Sequence, residues 1–381
     1  MPASHALQRT AARTLFAALG LGIGAWGAQV PALAQRYALN EAQLSMALLA
    51  AAIGAVSCLL VAPKLVMRVG PRRCVKGASS IMCLVIAAVL FGEAWWTIGA
   101  IMVGFGLSTA LFDVSVNAEA NRIEQETGWK LMSSVHAMFS LGSMVGALGC
   151  AGLLRLGVAP QWQLAGFGLA LLPVYLWAAH QLDGPHPDAH ADENNSPFTL
   201  PTGPLLWMGM VGALGLVAEG ALFDWSALYV KQELQGSAAM GALAFAAFSA
   251  AMAYGRLRGD SVRARVAPPR LLLVSGVLAA VGMAIALVGG RPEAALVGFV
   301  IVGLGLANIV PVMFAAAGQM EGVPPAQGVA AVSAVGYAGF LFGPPMIGGL
   351  ARGTSLSAAL WLVVLFAVLI AALSGRVLKK T

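Results

Sequence analysis

Charge is what this sequence has least of. Asp, Glu, Lys and Arg make up 10% of its 381 residues, against roughly 25% in an ordinary soluble domain. A water-exposed surface cannot be built from so few. Cysteine is scarce too. Cys58, Cys74, Cys83 and Cys150 show no Cys-x-x-Cys spacing, so neither a zinc site nor a dithiol redox centre is written into the chain. No Gly-x-x-x-x-Gly-Lys-Ser/Thr stretch occurs, which excludes the common phosphate cradle of ATP-driven machines. No Ser-His-Asp grouping or metal-ligand signature stands out either. His180, His186 and His190 fall in a polar stretch and read as solvated linker. An enzyme, a cofactor and a bound metal are therefore not expected.

What the sequence does have is hydrocarbon. Hydrophobic residues make up 59% of it and glycine supplies 46 positions; the mean hydropathy is +0.82. Apolar runs of about 20 residues cross a bilayer as α-helices, whereas barrel strands would alternate polar and apolar positions. Twelve such runs can be laid out, near 12–34, 42–66, 76–93, 96–120, 131–154, 161–180, 204–230, 238–256, 270–289, 294–317, 329–351 and 356–375. The joints are short except for "HQLDGPHPDAHADENNSPFTLPTG", which is polar and contains proline. It divides the chain into residues 1–180, a linker at 181–203, and residues 204–381. With the N-terminus in the cytoplasm, 17 Lys and Arg fall on the cytoplasmic side and 5 on the other, the full 22. That bias follows the positive-inside rule and puts both termini in the cytoplasm. It also accounts for the net charge of +6 as an orientation signal, so a nucleic-acid partner is not expected. The expected fold class is an all-α membrane protein of twelve transmembrane helices in two pseudo-symmetric six-helix bundles.

The two halves match at a nearly fixed offset. "LVMRVGPRR" (65–73) precedes "VRARVAPPR" (262–270) by 197 residues, and "VGFGL" (103–107) precedes "VGLGL" (302–306) by 199. Gly142 and Gly146 precede Gly339 and Gly343 by 197, and "AWGA" (25–28) precedes "AEGA" (218–221) by 193. Repeats of six spans insert the same way up, related by an axis along the membrane normal. A bundle pair of this kind binds a solute between its halves and exposes it to either side in turn.

These features resemble the major facilitator superfamily over essentially the whole chain. The family's loop after span 2 usually reads Gly-x-x-x-Asp-Arg-x-Gly-Arg-Arg. Here "PKLVMRVGPRR" keeps Arg68, Gly70 and Arg72 but has Pro63 and Met67 in place of the first Gly and the Asp. The second copy, "GRLRGDSVRARVAPPR", keeps an acid at Asp260 beside Arg256, Arg263 and Arg265, all read as cytoplasmic. The resemblance implies that such loops make gating contacts between helix ends. "MSSVHAMFSLGSMVGAL", "EGALFDWSALYV" and "SAVGYAGFLFGPPMIGGL" are similar to a bacterial inner-membrane subgroup near the fucose–proton symporters. That likeness implies a monomer in the bacterial cytoplasmic membrane.

Polar groups inside apolar spans are functional candidates, because inserting them costs several kcal/mol. Asp113, Asn117 and Glu119 lie on span 4, His136 and Ser140 on span 5, and Glu219 and Asp224 on span 7. Trp26 and Gln29 are on span 1, Asn308 on span 10 and Tyr337 on span 11. In the family, spans 1, 4, 7 and 10 line the cavity and spans 2, 5, 8 and 11 flank it; every candidate falls on one of these. Asp113 and Asn117 stand at i and i+4 on one helix face. Asp113 lies about seventeen residues, or roughly 25 Å, into its span. Two readings of it stay open: a coupling carboxylate, or a gate partner of Arg122. Glu119 and Asp224 read as gating or solvated groups. His136 reads as a proton shuttle beside Asp113 or Asn117. No Lys or Arg is expected at mid-depth, which argues against strongly anionic solutes.

The reading that results is a proton-coupled secondary carrier of a small polar or amphipathic solute, with Asp113 and Glu219 as proton acceptors. A drug exporter and a non-transporting receptor are the alternatives.

Overall fold

The computed structural model describes residues 5–92, 94–128, 131–182, 202–320, 322–323 and 325–378, apart from a few side chains within them. All regular structure among them is helical. The first half runs α1 (His5–Arg36), α2 (Glu41–Leu59), α3 (Ala62–Val69), α4 (Pro71–Ala88), α5 (Trp95–Thr127), α6 (Met132–Arg155) and α7 (Pro160–His180). The second runs α8 (Gly203–Gln232), α9 (Ala238–Arg263), α10 (Pro268–Val288), α11 (Pro292–Leu306), α12 (Ile309–Gly318), α13 (Pro325–Gly353) and α14 (Leu356–Val377). Twelve spans among these residues are long and apolar enough to cross a membrane, with α11 and α12 counted as one and α3 as none. Residues 1–194 and 195–381 form two compact units.

Local chemistry sets the ends. Proline opens α3, α4, α7, α8, α10 and α11 in the first turn, where its missing N–H is no loss. Asn40 and Gln43 cap the start of α2 reciprocally, and Ser355 accepts from Ala358 N at the start of α14. Between α3 and α4, Gly70 takes a φ of 89°, which a side chain would resist. Span 2 ends at Leu59 rather than 66, because the chain restarts as α3 with Pro63 in its first turn. Span 4 runs on to Thr127, past the expected 120. Arg122 bridges Glu119 and Glu126 there, and such i,i+3 and i,i+4 pairs prolong a helix into polar sequence. Span 10 breaks at 307–308. Pro311 cannot donate to the Ala307 carbonyl one turn back, which frees the ladder at that point.

Within each unit the spans pack in the same pattern. The first-half pairs α1–α6, α2–α5, α4–α7 and α4–α5 correspond to α8–α13, α9–α11, α10–α14 and α10–α11 in the second. Finer details repeat too. Tyr37 donates to Val89 O at 2.6 Å, and Tyr229, 192 positions later, to Ala286 O at 3.0 Å. The two non-glycine residues with positive φ among those described, Ala38 and Gln235, are 197 apart. At the α1–α6 seam, Gly20, Gly24, Gly142 and Gly146 each lie directly against a backbone carbonyl of the opposite helix. Small residues that let backbones approach this closely are how helices associate in lipid. The second-half counterpart is looser: a Cβ on Gly339 would sit 3.0 Å from Ala213 O. Pro344 and Pro345 lie inside α13 without ending it.

Candidate functional site

Asp113 and Asn117 sit on one face of α5, both half-buried. The Asn117 amide donates to the Asp113 carbonyl at 2.9 Å. Its Oδ1 is buried with no hydrogen-bond partner among the described residues. Asp113 has no ion-pair partner among them either, and Arg122 does not reach it. The Arg122 guanidinium instead holds Glu119 at 2.7 Å, Glu126 at 2.6 Å and Gln8 at 3.2 Å. This ties the end of α5 to α1. Glu119, expected at a solvated boundary, is therefore 2% exposed; the arginine is what lets a carboxylate be buried there.

The α1 and α6 candidates divide. Gln29 is buried and donates to Gln163 Oε1 of α7 at 2.7 Å, while Gln163 donates to Val158 O. That amide chain ties α1 to α7. Trp26 is buried with its ring 5.5 Å from that of Phe105 on α5. His136 is exposed, and its ring meets the edge of Phe16 on α1 at 5.0 Å. Ser140 is buried and bonds back to His136 O at 3.4 Å.

In the second half Glu219 is buried on α8 and bonded to Arg256 of α9, Nη2 lying 2.8 and 3.0 Å from its two oxygens. Arg256 is a partner for Glu219 that hydropathy alone did not give. It lies within the apolar span Ala238–Gly259 rather than in a cytoplasmic loop. Asp224, expected near solvent, is half-buried, with no ion-pair partner among the described residues. Asn308 is buried at the α11–α12 break and donates to Gly255 O of α9 at 3.5 Å. Arg263 donates to Pro311 O at 3.3 Å, tying α9 to α12. Arg68 is exposed on α3. The side chains of Tyr337 and Asp260 lie outside the described residues.

Arg256 and Gln163 were missed by sequence reasoning. Arg256 hides at the head of a basic run with Arg258, Arg263 and Arg265. The available signal was Glu219 itself, since an acid at that depth requires a counter-charge.

Comparison with known proteins places this geometry. The family model described as Major Facilitator Superfamily matches residues 14–320. An uncharacterised MFS-type transporter of Yersinia pestis is 31% identical over 98% of this chain and 96% of its own length. Membrane protein MosC of Rhizobium meliloti is 31% identical over 93% of this chain and 86% of its own. Among solved structures, the nucleoside transporter NupG superposes with a TM-score of 0.74 at 12% identity, over 98% of this chain and 100% of its own. A bacterial homologue of the human lysosomal transporter Spinster, inward-facing and occupied, gives 0.68 at 13% identity, over 98% and 96%.

Proposed function

Because the chain belongs to the major facilitator superfamily and is a multi-pass membrane transporter, we propose that it carries a small polar or amphipathic solute by alternating access, coupled to protons. It works as a monomer in the bacterial cytoplasmic membrane, with 1–180 and 204–381 as its domains and 181–203 as the linker. Its relatives are bacterial transporters rather than enzymes.

The observation that carries this reading is the Asp113–Asn117 pair. A charge without a counter-charge inside a span costs several kcal/mol, and a proton on Asp113 removes it. One turn away, Asn117 Oδ1 is an acceptor without a donor among the described residues, and buried acceptors in native proteins are rarely left so. A solute hydroxyl or amine supplies the donor. Glu219 is the second proton acceptor: protonating it breaks its bond to Arg256. His136, Ser140 and Tyr337 complete the solute and proton contacts. Glu119, Asp224, Arg68, Asp260 and Arg263 act as gating groups.

The test is transport in proteoliposomes. The wild type accumulates its solute when a pH gradient is imposed. Asp113→Asn abolishes accumulation but keeps solute exchange at equal pH on both sides. Accumulation unchanged in Asp113→Asn and in Glu219→Gln overturns proton coupling.

A further inference from the structure

The second half holds an ion pair with no charged counterpart at the matching positions of the first. Glu219 is at the seventeenth of thirty positions of α8, and Arg256 lies within the apolar part of α9. Their side chains are 10% and 17% exposed. At offsets of 193 and 197 residues the first-half counterparts are Trp26 and Leu59. A buried ion pair is in general no more stabilising than a well-packed apolar pair, so stability does not account for two charges here.

We propose that Arg256 is the docking group for a carboxylate on the transported solute, and that Glu219 occupies it when no solute is bound. This inference rests on the proton-coupled reading above and names its substrate class. The guanidinium already holds a carboxylate through both oxygens, and a solute carboxylate presents the same two acceptors. The exchange keeps the charge balanced. A proton passes to Glu219, which leaves Arg256 as a neutral acid, and the solute anion takes its place. One cation and one anion are present before and after. At this pair the exchange adds a proton and an anion together, and so no net charge. Without the proton, two carboxylates would compete for one guanidinium in a low-dielectric site.

The helices packed against α8 carry Arg258, Asp260 and Arg263 on α9, Glu293 on α11, Arg352 on α13 and Arg376 on α14. Arg256 is the one ion-pair partner of Glu219 among the described residues. On α8 itself, Asp224 is five residues on and Lys231 twelve.

The experiment follows thermal unfolding of the purified full-length protein with matched acid and amide pairs: benzoate and benzamide, nicotinate and nicotinamide, lactate and lactamide. Measurements are made at about pH 7.5 and about pH 5.5, where these acids remain largely ionised. The expected result is that at least one acid raises the melting temperature and its amide does not. The acid binds more tightly at the lower pH, by up to about tenfold per unit. Glu219→Gln binds that acid equally at both pH values, and Arg256→Gln does not bind it. Arg256→Lys keeps the charge but loses the guanidinium's reach and plane, so weakened binding by this variant separates lost docking from misfolding. Amides that bind as well as acids, no acid that binds, or acid binding that survives Arg256→Gln overturns the inference. Gradient-driven uptake of an uncharged solute that Asp113→Asn abolishes would overturn it too, while the transport reading stands. An acid that depends on Arg256 but shows no gradient-driven flux supports the docking role and refutes the coupling.

Discussion

The α1–α6 seam makes opposite predictions for one chemical change. Gly24 lies against the Ser143 carbonyl and Gly146 against the Leu21 carbonyl. A methyl at either place meets backbone, which cannot rotate away as a side chain does. Overpacking of this kind costs about 1–3 kcal/mol, and contact with main chain puts it at the upper end. Against that, replacing a mid-helix glycine by alanine gains up to about 1 kcal/mol of helix propensity. The net for Gly24→Ala or Gly146→Ala is a loss of about 2 kcal/mol. At Gly104 in α5 and Gly152 in α6 nothing lies within 4 Å of an added Cβ. There only the propensity acts, and alanine stabilises by up to about 1 kcal/mol. Equilibrium unfolding of the four variants in detergent, followed by tryptophan fluorescence, should separate the pairs by about 3 kcal/mol. Equal midpoints across all four would refute the argument that backbone contact, rather than small-residue content, builds this seam.

Three further outcomes are expected. Arg256→Met orphans Glu219 and should destabilise the second half by about 3–5 kcal/mol near neutral pH. The double change Glu219→Met with Arg256→Met should restore most of it, because it leaves no unpaired charge behind; thermal unfolding reads both. Ala38→Gly and Gln235→Gly should each stabilise by about 1 kcal/mol by relieving positive φ, measured as raised melting temperatures. Glu233 accepts from Leu356 N at 3.1 Å and from Ser357 Oγ at 2.9 Å, so Glu233→Ala should cost about 1 kcal/mol as a lost helix cap and speed amide exchange at the start of α14.

The spans were legible because hydrocarbon demands runs of apolar residues, and the repeat was legible because Gly and Arg fall in register across it. Interruptions were less so. Asn308 stood out as a polar residue, yet the break it caps comes from Pro311, whose missing donor acts one turn upstream. The candidate site was legible in kind but not in pairing. Hydropathy marks Glu119, Glu219 and Gln29 as out of place without naming the residue that satisfies each. Arg122 is three residues from Glu119 and could be anticipated from helix geometry. Gln163 and Arg256 are 134 and 37 residues from their partners, and no local rule reaches that far.

The most direct measurement of the central claim is proton movement itself. Proteoliposomes with a pH-sensitive dye outside receive the acid that raises the melting temperature most. The account predicts that adding this solute alone alkalinises the outer medium. It also predicts that the signal vanishes in Asp113→Asn and in Glu219→Gln. Solute uptake with no change in external pH, or an equal signal from both variants and the wild type, would contradict it.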